Sequence, residues 1–332
     1  MEIFSVGISG IGSFVPDKVL TNDDLSKTVD TSHQWIVERT GIEERRIADE
    51  NTAASDLGIQ AALRALEDAN TSPEEIDLIL VATATPDYFF PSTACVIQDK
   101  IGAKNAAAFD LSAGCSGFVY GIATGSNFIK TGAYKKVLVI GAEVLSKITD
   151  WEDRNTCVLF GDGAGACVLE RCEEGYGILS FELGADGSGG DTLIVPAGGS
   201  KNPTTLDTIK NKGHFLKMDG KEVFKFAVRK MPEATINALD KANLELEDLD
   251  FLVPHQANQR IINSAAKKLK LDKDKICVNI NKYGNISSAS VPVSLDEVVK
   301  EGRIKKGDNV VMVAFGAGLT WASVAIKWSK EG

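Results

Sequence analysis

The same order of apolar strands and small-residue turns occurs twice in this chain of 332 residues. The matched segments are 75–81 with 248–254, the strand and turn around Cys115 with 275–281 and the turn after it, and the strand ending at Gly141 with 309–316. This repetition indicates an internal duplication with pseudo-two-fold symmetry. The alternative is that any chain of alternating strands and helices contains similar segments in a similar order. With duplication, Cys115 and Asn285 occupy equivalent turns that face the middle of the molecule.

Strands and helices alternate within each half. The apolar pattern predicts strands over 76–82, 136–141 and 164–170 and a helix over 91–101. This alternation is typical of an α/β protein. We divide the chain into an N-terminal half, 1–173, and a C-terminal half, 174–332. A turn-rich excursion over 184–217 is either a plain linker or an ordered cover for a site.

Composition and charge exclude several classes of function. A net charge of −10 argues against nucleic acid as a bulk partner. No apolar run approaches the ~18 residues of a membrane-spanning helix. The N-terminus has no basic segment ahead of an apolar one, so we expect no signal peptide, and six cysteines without framework spacing predict reduced thiols in the cytoplasm. Three histidines without paired spacing predict no metal site, and we expect no cofactor.

Cys115 is the strongest candidate for a nucleophile. It lies in a Ser-Ala-Gly-Cys-Ser-Gly turn between an apolar stretch, 106–111, which we predict to be a buried strand, and an apolar helix that begins near Phe118. The unpaired amides of a helix N-terminus favour a thiolate, and the flanking glycines allow a sharp turn and a close approach of substrate. The alternative is inert packing, the usual state of a free cysteine, which fits the other five cysteines.

Three further features follow predicted strands. His255 comes directly after a strand, and Asn258 can cap the helix that begins at Gln259. Asn285 lies in the turn that matches the turn of Cys115, and the glycine-rich strand end around Gly316 could present amides to an oxyanion. Each has a structural alternative: a satisfied histidine, a turn residue and a close-packed bend. Together at the ends of strands in a duplicated fold, they indicate a catalytic site.

Seven ordered motifs resemble the β-ketoacyl-acyl carrier protein synthase III family of thiolase-like enzymes over nearly the whole chain. They occupy 30–42, 90–98, 110–118, 159–166, 254–258, 283–292 and 314–321. The resemblance implies a five-layered α/β/α/β/α fold, a homodimer and the step that starts fatty acid chains. That step is the decarboxylative Claisen condensation of an acyl-CoA primer with malonyl-acyl carrier protein, which yields 3-oxoacyl-acyl carrier protein, CoA and carbon dioxide.

The resemblance also implies the role of each catalytic residue. Cys115 takes the acyl group from acyl-CoA. His255 and Asn285 bind the thioester oxygen of malonyl-acyl carrier protein and stabilise the enolate that forms as carbon dioxide leaves. The amides of Cys115 and Gly316 hold the oxyanion formed on the acyl-enzyme. One departure from the family pattern is Ile286, where relatives often carry threonine.

Further positions match binding sites of the family. The expected CoA contacts are Thr31, Trp35, Arg39, Arg154 and Asn258. The expected acyl pocket is formed by Leu145, Phe160 and Phe90, with Phe90 reaching the pocket of the partner subunit. The alternative for the two arginines is a surface salt bridge, and for Trp35 a packed aromatic. The segment 143–153 is similar to Gram-positive members, which often accept branched primers.

A basic helix beside His255 is the expected docking face for the acidic carrier protein. Its cationic residues are Arg260, Lys267, Lys268 and Lys270. The alternative is a solvated helix face. Two other functions remain open: a specialised acyltransferase or secondary-metabolite ketosynthase of the same fold, and a catalytically inactive structural subunit, against which the intact Cys115, His255 and Asn285 argue.

Overall fold

The computed structural model describes residues 4–331, which form 13 strands and 11 α-helices. The strands are β1 (Val6–Phe14), β2 (Val19–Thr21), β3 (Glu44–Arg46), β4 (Leu78–Ala82), β5 (Ala107–Leu111), β6 (Lys136–Val144), β7 (Asp162–Arg171), β8 (Gly177–Ala185), β9 (Leu193–Ile194), β10 (Lys217–Met218), β11 (Phe251–Pro254), β12 (Asn309–Gly316) and β13 (Thr320–Lys327). The helices are α1 (Asn22–Leu25), α2 (His33–Thr40), α3 (Ala54–Asp68), α4 (Thr93–Ile101), α5 (Gly117–Lys130), α6 (Arg154–Cys157), α7 (Leu206–Lys210), α8 (Gly220–Lys241), α9 (Gln259–Leu269), α10 (Ile280–Tyr283) and α11 (Ser290–Lys300).

Two mixed sheets with the same pairing pattern form the body of the molecule. The first has the order β1-β7-β6-β4-β5, and the second has the order β11-β12-β13-β8. In the first, β4 and β6 are parallel while β6–β7 and β7–β1 are antiparallel. In the second, β11 and β12 are parallel while β12–β13 and β13–β8 are antiparallel. The four strands of the second sheet therefore repeat the arrangement of four strands of the first.

Helices cover both faces of both sheets, which gives five layers. Apolar residues of α3 and α4 pack on the outer face of the first sheet, and those of α8 and α9 pack on the outer face of the second. Between the sheets lie α5 and α11, whose buried residues share one core with strands of both. The central α5 is apolar on most sides because it contacts a sheet on each face.

The predicted strand over 275–281 is absent. Its start forms only an isolated parallel bridge between Ile276 and Leu252, and its end belongs to α10. The backbone N–H of Asn279 donates to Oε1 of Gln256 at 3.1 Å, so at this point the chain bonds to a side chain instead of a strand. The second sheet therefore lacks a counterpart of β5.

The strand before Cys115 forms as predicted but is not buried. As the edge of the first sheet, β5 leaves Ala107 and Phe109 exposed. Cys95, on the neighbouring α4, is also exposed, contrary to the expectation of inert packing. An apolar run alone does not distinguish an edge strand from a central one.

The excursion over 184–217 is ordered and packs near the middle of the molecule. It contains β9 and α7, and β10 completes a small antiparallel pair in which Met218 lies opposite Leu193. The strands of the first sheet end at Arg171 and those of the second begin at Gly177. Within residues 4–331, no helix is both long and apolar enough to cross a bilayer.

Candidate active site

Cys115 lies in a tight turn at the start of the central helix. The 3-10 turn Gly114–Ser116 leads directly into α5, and the Cys115 side chain is 7% exposed. Gly114 has a φ of 52°, and a Cβ there would lie 2.8 Å from the backbone N of Ala317. The turn therefore requires glycine for both its conformation and its close packing.

The buried position of Cys115 favours the neutral thiol. Burial raises the pKa of the thiol to about 12, and the nearby charge of Glu143 adds to this increase, while the Ser287 side chain lowers the pKa. Burial removes the charged form from water and so opposes the thiolate that the helix N-terminus favours.

His255 is buried at the end of β11. Its backbone N–H donates to Val313 O at 2.8 Å, its ring packs edge-on against Phe315 with centroids 5.3 Å apart, and Nδ1 lies 2.5 Å from Oγ of Ser290. Burial lowers the pKa of the imidazole to about 3. The ring is therefore neutral at physiological pH and can donate one hydrogen bond.

Asn285 is attached to both halves of the chain. Its backbone N–H donates to Leu159 O at 2.8 Å, and its carbonyl accepts from Gly161 N at 3.1 Å. Its side-chain Oδ1 accepts from the backbone N–H of Ser287 at 2.9 Å. Because the oxygen of the amide is engaged, the Nδ2 group is the part of the side chain that can donate to a ligand.

One largely apolar cavity brings these residues together. Its polar and glycine members include Cys115, His255, Asn285, Asn258 and Gly316. The apolar wall consists of Leu159, Phe160, Leu193, Met218, Val223, Phe224, Ala257, Ile261, Phe315 and Leu319. Leu193 and Met218 come from β9 and β10, so the excursion contributes directly to this wall.

Gly316 lies against the backbone of Cys115. A Cβ at Gly316 would overlap the backbone N of Cys115, so only glycine allows this approach. The strand end is thereby held beside the amide of the cysteine. This is the neighbourhood in which the sequence predicts an oxyanion site. Ile286, the departure from the family pattern, is buried with Ala289 and Val293 in a small apolar cluster.

The predicted CoA residues form a cationic cluster around Trp35. The guanidinium carbons of Arg39 and Arg154 lie 4.5 and 5.0 Å from the ring centroid of Trp35. Asn258 caps α9 by accepting from Arg260 N at 2.9 Å, and its Nδ2 donates to Arg39 O at 3.0 Å. Thr31 has a buried hydroxyl without a partner among residues 4–331. Asn258 therefore connects this cluster to the cavity.

Two of the three predicted acyl-pocket residues lie together in one chain. Phe160 lines the cavity, and Leu145 is buried in the same apolar cluster as Phe160 and Leu216. Phe90 is 86% exposed, beside Phe89 at 85% and Tyr88 at 62%, and does not reach the cavity of its own chain.

The basic residues of α9 point in different directions. Arg260 stacks on Phe224 with its guanidinium carbon 5.4 Å from the ring centroid, near the wall of the cavity. Lys268 donates to Val228 O at 2.8 Å, towards α8. Lys267 lines a separate groove with Arg303, and Lys270, which caps α9, is exposed. Arg260 and Lys267 are seven residues apart and so share one side of the helix, while Lys268 turns towards α8.

Sequence reasoning missed several residues that support the site. The buried carboxylate of Glu143 accepts from Thr85 Oγ1 and Ser288 Oγ, each at 2.8 Å, behind the Asn285 turn. Ser287 and Ser290 contact Asn285 and His255 as described above. The one available signal was a glutamate near the end of an otherwise apolar strand, which predicts a buried charge with dedicated partners.

Comparisons with known proteins agree across the whole length of the chain. Models described as 3-oxoacyl-[acyl-carrier-protein] synthase III and its C-terminal part match residues 109–187 and 239–328. A β-ketoacyl-[acyl-carrier-protein] synthase III of Caldanaerobacter subterraneus is 60% identical over 99% of both chains. The crystal structure of 3-oxoacyl-[acyl-carrier-protein] synthase III from Aquifex aeolicus is 49% identical, covers 97% of this chain and 100% of its own, and superposes with a TM-score of 0.90.

A priming β-ketosynthase from a polyketide biosynthetic pathway also superposes, with a TM-score of 0.93 and 35% identity over 100% of this chain and 98% of its own. The fold is thus thiolase-like, as predicted. The high sequence identity extends over nearly the full length, two family models match, and the fold is shared. This chain belongs to the β-ketoacyl-acyl carrier protein synthase III family of condensing acyltransferases.

Proposed function

We propose that this enzyme condenses an acyl-CoA primer with malonyl-acyl carrier protein at Cys115, His255 and Asn285, and thereby initiates fatty acid synthesis. The observation that carries the proposal is the single cavity lined by a cysteine at a helix N-terminus, a neutral buried histidine and an asparagine with a free Nδ2 group. Acyl transfer needs the first, and stabilisation of an enolate needs the other two.

In the first half-reaction, the Cys115 sulfur attacks the thioester carbonyl of acyl-CoA. The bond between the acyl carbon and the CoA sulfur breaks, and the proton of the cysteine ends on CoA. Because burial raises the pKa of the thiol to about 12, the thiolate forms only as attack proceeds. The amides of Cys115 and Gly316 would hold the oxyanion, which the close approach of these two backbones supports.

In the second half-reaction, malonyl-acyl carrier protein loses carbon dioxide. The electron pair of the broken bond enters the enolate, whose oxygen receives hydrogen bonds from Nε2 of His255 and Nδ2 of Asn285. The enolate carbon attacks the acyl-cysteine, the carbon–sulfur bond breaks, and the sulfur takes up a proton from solvent, which replaces the one that left on CoA. A neutral imidazole suits this role because it donates a hydrogen bond without carrying a charge that would bind the product tightly.

The CoA nucleotide is assigned to the cluster of Trp35, Arg39 and Arg154, with Thr31 beside it and Asn258 along the pantetheine arm. Two exposed cations beside an aromatic ring suit a phosphate-bearing purine. The bond from Asn258 to Arg39 supports a continuous path from this cluster to Cys115. We assign the acyl group to the wall around Phe160, with Leu145 behind it.

We also propose a homodimer in which Phe90 enters the acyl pocket of the partner subunit. Support comes from the exposed aromatic residues 88–90 and from Phe109, which is 41% exposed on the unpaired edge strand β5. An exposed apolar edge of this kind is usually covered. Sedimentation should give twice the 35.5 kDa of one chain, and Phe109→Glu should raise the dissociation constant of the pair.

The carrier protein and the cellular compartment complete the proposal. We assign carrier-protein docking to α9 and its basic residues, although the molecule is acidic overall. Six free thiols fit a reducing cytoplasm. The alternative is a specialised condensing enzyme of another pathway. Rates with a set of different acyl-CoA primers distinguish this alternative from fatty acid initiation.

Separate assays of the two half-reactions test the assignment. Cys115→Ser should abolish the mass increase that acyl-CoA produces on the wild-type protein. His255→Ala and Asn285→Ala should retain acylation and lose release of carbon dioxide from malonyl-acyl carrier protein by about 10²–10³-fold each. Loss of acylation with intact decarboxylation would contradict these roles. Steady-state rates with straight and branched acyl-CoA primers then identify the pathway.

A further inference from the structure

The hydrogen-bond partner of His255 Nδ1 decides which nitrogen carries the imidazole proton. Among residues 4–331, this partner is the hydroxyl of Ser290, the first residue of α11, at 2.5 Å. Both residues are 1% exposed, so both side chains are almost completely withdrawn from bulk solvent. The tautomer of the histidine therefore follows from the bonds that the serine makes.

The surroundings of Ser290 leave its hydrogen for the histidine. The backbone N–H of Gln256 donates to Oγ of Ser290 at 3.4 Å, so this oxygen already acts as an acceptor. Within the described residues, Nδ1 of His255 is the acceptor within reach of the hydroxyl hydrogen. If Nδ1 were protonated instead, two donors would meet at Oγ and a buried hydroxyl hydrogen would have no acceptor, at a cost of about 1–3 kcal/mol.

We infer that Ser290 is a positioning residue that donates to Nδ1 of His255 and so fixes the tautomer that carries its proton on Nε2. This inference rests on the proposed role of His255 as a donor to the enolate oxygen. In the other tautomer, Nε2 presents a lone pair to the developing negative charge and repels it. Ser290 does not contact substrate; it acts through the orientation and protonation of the imidazole.

A second observation extends this role to the segment that contains Ser290. Asn285 is oriented by the backbone N–H of Ser287, which engages Oδ1 and leaves Nδ2 free. Both donors of the proposed oxyanion site are therefore fixed by residues 287–290, at the start of one helix. The decarboxylation site would depend on this segment, and the Ser287 side chain also lowers the pKa of the Cys115 thiol, which lies in the turn before α5.

Three variants test the inference. Ser290→Ala removes the hydroxyl, and Ser290→Thr keeps one. Ser294→Ala is the matched control, because Ser294 is equally buried one turn further along α11 and bonds to Asn279. We expect Ser290→Ala to lower the rate of carbon dioxide release by about 10–100-fold, approaching the loss of a full donor, and to retain acylation of Cys115. Ser290→Thr should recover most of the lost rate, and Ser294→Ala should match wild type.

Nitrogen NMR of histidine-labelled protein reads the tautomer directly. The chain has three histidines, and the signals that disappear in His255→Ala are those of His255. Wild type should show a protonated Nε2 and an unprotonated Nδ1 that accepts a hydrogen bond, and Ser290→Ala should lose this fixed pattern. A protonated Nδ1 in wild type would overturn the inference, and this measurement does not depend on whether any Ser290 variant folds.

The failure of the inference and that of the proposed function give different results. If His255→Ala retains full decarboxylation, the proposed role of His255 is wrong. If His255→Ala loses decarboxylation while Ser290→Ala retains both the rate and the Nε2 proton, only the role of Ser290 is wrong. Equal losses in Ser290→Ala and Ser294→Ala would also contradict it, because they would show a general effect of removing a buried hydroxyl from α11.

Discussion

At the scale of single residues, Cys115 experiences two opposing effects. The N-terminus of α5 favours a thiolate, while the buried position and the neighbouring carboxylate of Glu143 disfavour it. The net result is a thiol with a raised pKa. Under the proposed function, the thiolate of Cys115 would therefore form as the substrate carbonyl and its oxyanion site come together.

The pH dependence of alkylation should reveal this thiol. Since burial raises the pKa of Cys115 to about 12, the fraction of thiolate rises tenfold per pH unit throughout the neutral range. We expect the rate of carbamidomethylation of Cys115 by iodoacetamide to increase from pH 7 to 9 without a plateau. Peptide mass spectrometry separates Cys115 from the exposed Cys95. A plateau near neutral pH would show that the helix N-terminus outweighs burial.

Burial raises the pKa of Glu143 itself, and wherever this carboxyl group is ionised its charge should contribute to the raised pKa of Cys115. Glu143→Gln removes the negative charge and keeps the shape of the side chain, so the pKa of the Cys115 thiol should fall and alkylation at pH 8 should become several-fold faster. Asp162→Asn is the matched control, because Asp162 is also a buried carboxylate but bonds to Ser146 and Ala48. Equal acceleration in both variants would indicate loosening of the fold instead of an electrostatic effect.

Sequence reasoning identified Cys115, His255 and Asn285 because each follows a strand or lies in a matching turn, and the structure brings all three to one cavity. It did not identify Ser290, or Glu143, for which an apolar strand predicts burial but not the partners. Their importance depends on contacts with residues 145 and 35 positions away in the chain, which no local pattern encodes. The assigned roles themselves remain predictions.

At the scale of elements, strands that have a neighbouring strand on each side were predicted well. The segment 309–316 forms β12 with the predicted bounds, and 136–141 extends to Val144. The failure at 275–281 has a physical cause, since the Gln256 side chain takes the hydrogen bond that a strand would need. The exposure of β5 could not be predicted because strand order does not follow from strand composition.

The helix α9 allows a test of carrier-protein docking. Lys267 lines a groove with Lys273 and Arg303, so Lys267→Glu reverses a charge within a cationic surface. We expect a several-fold higher KM for malonyl-acyl carrier protein at low salt and an unchanged KM for acyl-CoA, because opposite charges mainly accelerate encounter. The difference should shrink as salt shortens the screening length below ~10 Å.

A lysine at the far end of the second sheet is the control for this experiment. Lys305 is exposed shortly before the start of β12, whereas the cavity lies at the end of that strand. Lys305→Glu changes the net charge by the same amount and should leave both KM values unchanged. If Lys267→Glu and Lys305→Glu raised the KM for malonyl-acyl carrier protein equally, the cause would be the net charge of the protein, and docking on α9 would be contradicted.

At the scale of the whole molecule, the site forms where the two sheets and their central helices meet. Cys115 and Phe160 come from one side of the boundary at 173/174, and His255, Asn285 and Gly316 from the other. The backbone bonds between Asn285 and residues 159 and 161 cross this boundary. The division into duplicated halves remains a prediction, and under it neither half contains the complete site.

The burial of His255 also has a consequence for acid stability. Its pKa is about 3 in the folded protein and 6.5 for an unperturbed histidine, so between these values the unfolded chain binds one proton that the folded chain does not. The unfolding free energy should therefore fall by about 1.4 kcal/mol for each pH unit of acidification across this interval. In His255→Ala, the pH dependence of urea unfolding between pH 6 and 4 should be shallower by this amount. The exposed His33→Ala is the control, and an equal slope in wild type and His255→Ala would show that the acid limit of this fold is set elsewhere.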